Sequence, residues 1–197
     1  MDKGQYVSTE EGSAQGNIIS PVLANIYMHF VLVLWYKEIV QKRAKGDTFL
    51  VVYADDFITG FQYKYEAEAY YEALKKRMSK FGLELEESKS RLLEFGRYAE
   101  GNRKAKGERK PETFDFLGFT FYCSKSRSGK FSVKLKTSKK KFKQKVKAMK
   151  VWLYQNRDIK VSDLMEQVKI KLIGHYRYYG ISHNGRMISC FRQRTID

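Results

Sequence analysis

A chain of 197 residues, 43% apolar and 15% aromatic, carries enough hydrophobic side chains to bury a core in one domain, or in one domain with an appendage. Its two cysteines, Cys123 and Cys190, the lack of a Cys-x-x-Cys pair and the lack of a charged-then-apolar leader argue against a disulfide scaffold, a structural zinc site and a secreted product, and fit a reducing cytoplasm. The formal charge of +16, from 38 Lys and Arg against 22 Asp and Glu, points to a polyanion partner, nucleic acid before all others.

Taken in chain order, Ser20-Pro21 opens the first element: Ser is a good N-cap, and Pro at the first helical position gives up an N–H that has no helical partner there. A helix is expected from Pro21 to Lys42, apolar nearly all round and therefore buried on more than one side. Its longest apolar run, Ile26 to Tyr36, is broken by His29 and is too short to cross a bilayer, so no membrane partner is expected. Thr48 to Tyr53 and Phe57 to Phe61 read as two strands joined tightly through Ala54-Asp55-Asp56. Glu66 to Phe81 has helical period and stops at Gly82, a good residue to follow a helix. Leu92 to Phe95, Thr113 to Tyr122 and Lys130 to Lys136 read as strands, with Glu100 to Lys110 as an exposed loop. Helices are expected again over Ser138 to Gln155 and Ser162 to Tyr179, the last ending at Gly180. This order predicts an α+β domain followed by a small helical appendage, with no internal repeat.

Charge divides the same chain. Residues 1–100 hold 13 Lys and Arg against 15 acids, and residues 101–197 hold 25 against 7. Between Ser124 and Lys150 there are twelve basic residues and no acid, interleaved with Phe131, Val133, Leu135, Phe142 and Val146. Interleaving of this kind marks a structured basic surface, whereas a solvated helix face usually mixes the signs of its charges. Lys134, Lys136, Lys139, Lys140, Lys141, Lys143 and Lys145 are its candidate RNA-phosphate contacts.

Chemistry concentrates at Tyr53-Ala54-Asp55-Asp56. Two adjacent carboxylates between strands that read as buried repel each other and lose hydration unless a cation neutralises them. Mg²⁺ suits them, because it takes hard oxygen ligands and is held by one or two carboxylates together with substrate phosphates. The competing reading is plain turn chemistry, which Asp favours; the flanking Phe49-Leu50-Val51-Val52 and Phe57-Ile58 weigh against it. His29, His175 and His183 stand singly and read as structural or surface residues.

Four segments together resemble one family. Gln15 to Tyr27 (QGNIISPVLANIY), Tyr53-Ala54-Asp55-Asp56, Gly82-Leu83-Glu84-Leu85 through Lys89, and Phe116-Leu117-Gly118-Phe119 follow the order and spacing of bacterial reverse transcriptases, most closely those encoded by group II introns, which are also maturases. Leu172 to Ile181, with Gly174 and Tyr178-Tyr179, resembles the thumb helices of the same family. The resemblance implies an antiparallel palm sheet packed on helices over residues 1–136 and a helical thumb or maturase-like region over 137–197. It implies RNA-directed DNA synthesis from template or intron RNA, a DNA primer and dNTPs, and assistance in intron splicing. Asp55 and Asp56 would help hold two Mg²⁺ for an in-line displacement. Gln15, Gly16 and Tyr53 would line the nucleotide and template site, where Gly permits close approach and Gln offers a donor and an acceptor; a plain turn before the helix is the competing reading for the first two. Lys89 would neutralise charge on the triphosphate, or else is a solvated lysine at a strand start. Phe116-Leu117-Gly118-Phe119 would form a hairpin whose Leu117 and Gly118 support the primer terminus, the competing reading being strand packing with a bulge.

The family pattern also has a third carboxylate, upstream of the Gln-Gly pair, and a fingers region. Only fourteen residues precede Gln15, and Asp2 sits in no matching context. The expectation is therefore a partial palm with thumb, inactive as a polymerase by itself, with its other half supplied by a separate chain or lost. A free palm edge would favour homodimers or poor solubility. The alternative is a non-catalytic RNA-binding module that assists splicing through the basic surface.

Overall fold

The computed structural model describes residues 19–108 and 110–196, and these form two compact units that divide between Leu92 and Leu93. Among the described residues there are six helices and two small antiparallel sheets, an α+β architecture.

The first unit opens with helix α1, Ser20–Arg43. It begins at Ser20 with Ile19 as its cap, Pro21 lies inside the first turn, and no side chain caps the end, so the expected Ser20 cap is not formed. Across His29–Leu34 and Tyr36–Val40 its turns widen to the π form. The guanidinium of Arg77 donates to two carbonyls of the first π segment, Val31 O at 2.5 Å and Phe30 O at 3.3 Å, while lying over the rings of Trp35 and Phe81. The helix is not buried on several sides: Val31, Leu32 and Tyr36 are buried, and Val22, Leu23, Ile26 and Phe30 of its first half are exposed. Counted as a helix and not as an uninterrupted run, α1 is long and apolar enough to cross a membrane, a test that core helices of soluble domains also pass. Here its middle is the centre of a core.

Strands β1 (Thr48–Tyr53) and β2 (Asp56–Phe61) pair as the expected hairpin, with Thr48 opposite Phe61 and Tyr53 opposite Asp56. Leu50, Val52, Phe57 and Phe61 pack against the core, to which α2 (Lys64–Lys80) adds Tyr70, Leu74 and Met78 at helical spacing. Tyr70 stacks on Trp35 and tilts against Phe61, and its hydroxyl accepts from Thr59 Oγ1 at 3.1 Å. The helix ends as expected: Gly82 takes φ +67, and Leu83 N–H returns to Met78 O at 2.9 Å.

The second unit holds α3 (Ala99–Ala105), β3 (Phe114–Phe116), β4 (Phe119–Lys125), β5 (Phe131–Thr137), α4 (Lys139–Gln155), α5 (Val161–Tyr179) and α6 (Gly185–Ile196). The sheet order is β3-β4-β5. Four expectations change here. Leu92 to Phe95 is no strand, because β-rich composition without a partner strand forms no ladder. Part of the loop expected over Glu100 to Lys110 is α3. The single strand read over Thr113 to Tyr122 is two, folded back on each other at Leu117-Gly118, where the resemblance had implied a hairpin. Helix α6 was not expected at all; it contributes buried Phe191, whose ring stacks on His175 and meets Phe142 edge-on.

Candidate active site and basic surface

The hairpin of the first unit sets where its carboxylates stand. Side chains alternate along a strand, so Leu50 and Val52 turn to the core and Phe49, Val51 and Tyr53 turn away from it. The outward residues are 57%, 47% and 62% exposed, so the strands are half-buried and not buried as expected. Gly60 faces Phe49 across the ladder, and a Cβ on it would lie 2.1 Å from the Phe49 ring, so the glycine is what lets that ring lie over β2.

Ala54 and Asp55 form the two-residue tip, Ala54 with a left-handed φ of +52, and Asp56 opens β2 opposite Tyr53. Both carboxylates are exposed, and neither takes a hydrogen bond or an ion pair from the described residues. The desolvation argument for a metal therefore fails, since water already solvates the pair. What the tip offers is four unengaged hard oxygens on a turn braced by the core below it, the donor type that Mg²⁺ selects. Among the described residues no group of three or more His, Cys, Asp or Glu is placed to hold a metal ion. Two carboxylates suit an ion whose remaining ligands come from water and phosphate.

Tyr53 is brought beside Asp56 by the register. Lys89 is exposed on a turn, its amide bonded to Glu86 O at 3.0 Å, and its charge helps hold the Glu86 carboxyl below the usual carboxylate range, after the larger effect of the Ser88 hydrogen bond. No strand follows it, so the strand-start position read for Lys89 is corrected to a turn. Gln15 and Gly16 lie outside the described residues.

In the second unit, Leu117 and Gly118 form the tip of the β3–β4 hairpin, with φ of +49 and +79 and Phe116 opposite Phe119. Two successive positive φ values are what a two-residue hairpin with the native twist requires. The turn is tied down from the helices: Tyr178 Oη donates to Leu117 O at 2.9 Å and Ser138 N–H donates to Gly118 O at 2.9 Å. Tyr178, named only as part of the thumb resemblance, was not expected to touch this turn, and a sequence separation of 61 residues gives no local signal for it. Asn184, fully buried and likewise missed, accepts Thr137 N–H at 2.8 Å and donates to Thr137 Oγ1 at 2.8 Å and Tyr179 O at 2.7 Å, joining the end of β5 to the end of α5.

The basic stretch is structured, as expected. Ser138 caps α4 by accepting from Lys141 N–H, and the helix then presents Lys139, Lys140, Lys141, Lys143 and Lys145 to solvent. On β5, Lys136 is exposed with its ammonium over the Tyr122 ring, and Lys134 is half-buried. None of these seven lysines is ion-paired among the described residues. Lys143 also borders an open groove of about 350 Å³ with Phe142, Val146, Lys147, Lys150, Val151 and Arg194.

Searches among curated proteins and among solved structures return no match to this chain. A family model does match: reverse transcriptase (RNA-dependent DNA polymerase), over residues 2–121. That span covers more than half of the sequence and includes the Asp55-Asp56 hairpin and the Leu117-Gly118 turn. The chain belongs to the reverse transcriptase family, whose members extend a primer along a nucleic-acid template with the help of divalent metal ions.

Proposed function

We propose that the chain is the part of a group II intron-type reverse transcriptase and maturase that carries the Asp-Asp hairpin and the thumb, the palm running over residues 1–136 and the thumb over 137–197. The observation that carries the reading is the pair of unengaged carboxylates at the tip of a core-braced hairpin inside the family match. Asp55 and Asp56 would hold Mg²⁺, which supplies activation of the primer hydroxyl and neutralisation of the leaving pyrophosphate. The protein side chains have narrower tasks. The hairpin fixes the spacing of the two carboxylates, Tyr53 flanks Asp56, and Gln15 and Gly16 border the nucleotide and template. Lys89 offers an ammonium to the dNTP triphosphate, and Leu117-Gly118 meets the primer.

Among the described residues no third acidic, histidine or cysteine side chain is grouped with the pair to hold a metal, and low activity for this polypeptide alone is part of the proposal. The test is primer extension on an RNA template with Mg²⁺, by the chain alone and mixed with a separately made amino-terminal half of a related reverse transcriptase, with Asp55→Ala as control. Activity in the mixture only, lost in Asp55→Ala, is the expected result. Robust extension by the chain alone overturns the incomplete-site reading.

The unpaired lysines of β5 and α4 favour a second reading, an RNA-binding module that assists splicing without catalysis. It predicts salt-sensitive RNA binding with no extension in either arm.

A further inference from the structure

Leu117 is the wrong residue for the conformation it holds. Two-residue hairpins with positive φ at both positions favour Asn-Gly, Asp-Gly or Gly-Gly, because Asn, Asp and Gly enter the left-handed region readily. A leucine at φ +49 gains nothing from its own side chain there, so the surroundings must select the turn. Both carbonyls of the turn are engaged from the helical side, Leu117 O by the Tyr178 hydroxyl and Gly118 O by the amide of Ser138. The residue after the turn, Phe119, is buried and stacks on the Tyr178 ring with centroids 5.8 Å apart and planes 14° apart. Gly118 admits no side chain without crowding: a Cβ would lie 3.2 Å from Tyr179 Oη. Tyr178 and Tyr179 are in turn fixed by the end of α5, where Asn184 bonds Tyr179 O, and where Gly180 is required because a Cβ on it would lie 2.3 Å from Tyr176 O.

We propose that Tyr178 is a positioning residue: its hydroxyl holds the Leu117-Gly118 turn in the left-handed form in which it meets the primer, so that α5 and the turn present themselves to nucleic acid as one rigid piece. The contact with primer rests on the reading given under Proposed function; the clamp on the turn does not. Tyr178 touches no reacting atom. It acts through the backbone of Leu117.

The experiment uses the full chain in two measurements. Tyr178→Phe removes the hydroxyl and keeps the ring that stacks on Phe119. Amide hydrogen exchange over residues 114–121 should accelerate about three- to tenfold, the range for loss of one hydrogen bond. Leu117→Asn placed in the Tyr178→Phe background should restore protection, because Asn holds the left-handed turn unaided. Binding of a fluorescein-labelled DNA primer annealed to RNA should weaken about threefold in Tyr178→Phe, by the same loss, with an unchanged salt slope because no cation is removed.

Unchanged exchange in Tyr178→Phe overturns the clamp. Faster exchange that Leu117→Asn leaves unrepaired also overturns it, assigning the effect to packing at large. Faster exchange, repaired by Leu117→Asn, with primer affinity unaltered keeps the clamp and removes the primer contact, which strikes the underlying reading and with it the proposed role.

Discussion

The two compact units differ most in charge. Residues 1–92 hold 12 basic against 13 acidic residues, and residues 93–197 hold 26 against 9. The first unit is nearly neutral and sets two unengaged carboxylates on a braced hairpin; the second has a net charge of +17 and sets unpaired lysines along β5 and α4. On the reading proposed above, metal-ligand chemistry and phosphate affinity fall to different units, which makes them separable by mutation. Phosphate affinity needs many cations spread along a surface, because each adds a counterion-release term. A metal site needs a few oxygens held in register, which a two-strand hairpin over a core supplies.

That separation can be broken experimentally, and the largest effect belongs to the hairpin. Asp55→Ala should lower primer extension in the complemented assay by at least about a hundredfold, the scale of losing a ligand from a metal-dependent site, and should leave RNA affinity within about twofold because no phosphate contact is lost. A matching loss of RNA binding in a filter or anisotropy assay would join what the comparison holds apart. Second in size, replacing Lys139, Lys140 and Lys141 by Ala should reduce the log–log salt slope of RNA binding by about 2 to 3, at 0.7 to 0.9 per phosphate released. If slope and affinity survive, the basic surface is not the RNA contact.

Stability variants sharpen the contrast between the two cores. Asn184→Ala strands the Thr137 amide and the Tyr179 carbonyl in a fully buried place, for a cost of about 3 kcal/mol in urea unfolding. Gly60→Ala displaces the exposed Phe49 ring into solvent and loses a cross-strand contact, a smaller cost of about 1 kcal/mol. Equal costs would show that the Phe49 ring cannot move aside. The smallest effect is on pH dependence. Burial among Tyr179 and Phe191, with a lesser effect of the nearby Lys145, pushes the His175 imidazole down to about 4. The unfolded chain then binds a proton more readily than the folded one, so this contribution to stability is complete above about pH 6.5 and is lost as pH falls toward 4. Thermal melting of His175→Phe should be flatter than wild type across that window.

Much of this was legible in the residues because it is local. The hairpin was placed to within a residue because β-rich runs and the short Ala54-Asp55-Asp56 turn segment between them are short-range features. Gly82 closing α2 and Ser138 opening α4 follow from backbone groups at a helix end needing partners within a turn. The misses have equally physical causes. Helix α6 is arginine-rich with one buried aromatic, Phe191, and its stability comes from packing on α4 and α5. Leu92 to Phe95 had the composition of a strand and no neighbour to pair with. The Asp55-Asp56 pair was read correctly as lying at the turn of a hairpin, although Asp56 belongs to β2, and wrongly as desolvated, because an apolar run beside it does not show what covers the strands.

The sequence alone determined the α+β class, the reverse transcriptase family, the double-aspartate hairpin and the charge division, since each depends on residue type and near spacing. Only the tertiary structure decided that the carboxylates stand in water, that Arg77 donates to carbonyls in the π segment of α1, and that Tyr178 and Asn184 fix elements 47 to 61 residues away. Those contacts pair groups distant along the chain, and chain folding alone brings them within hydrogen-bonding reach.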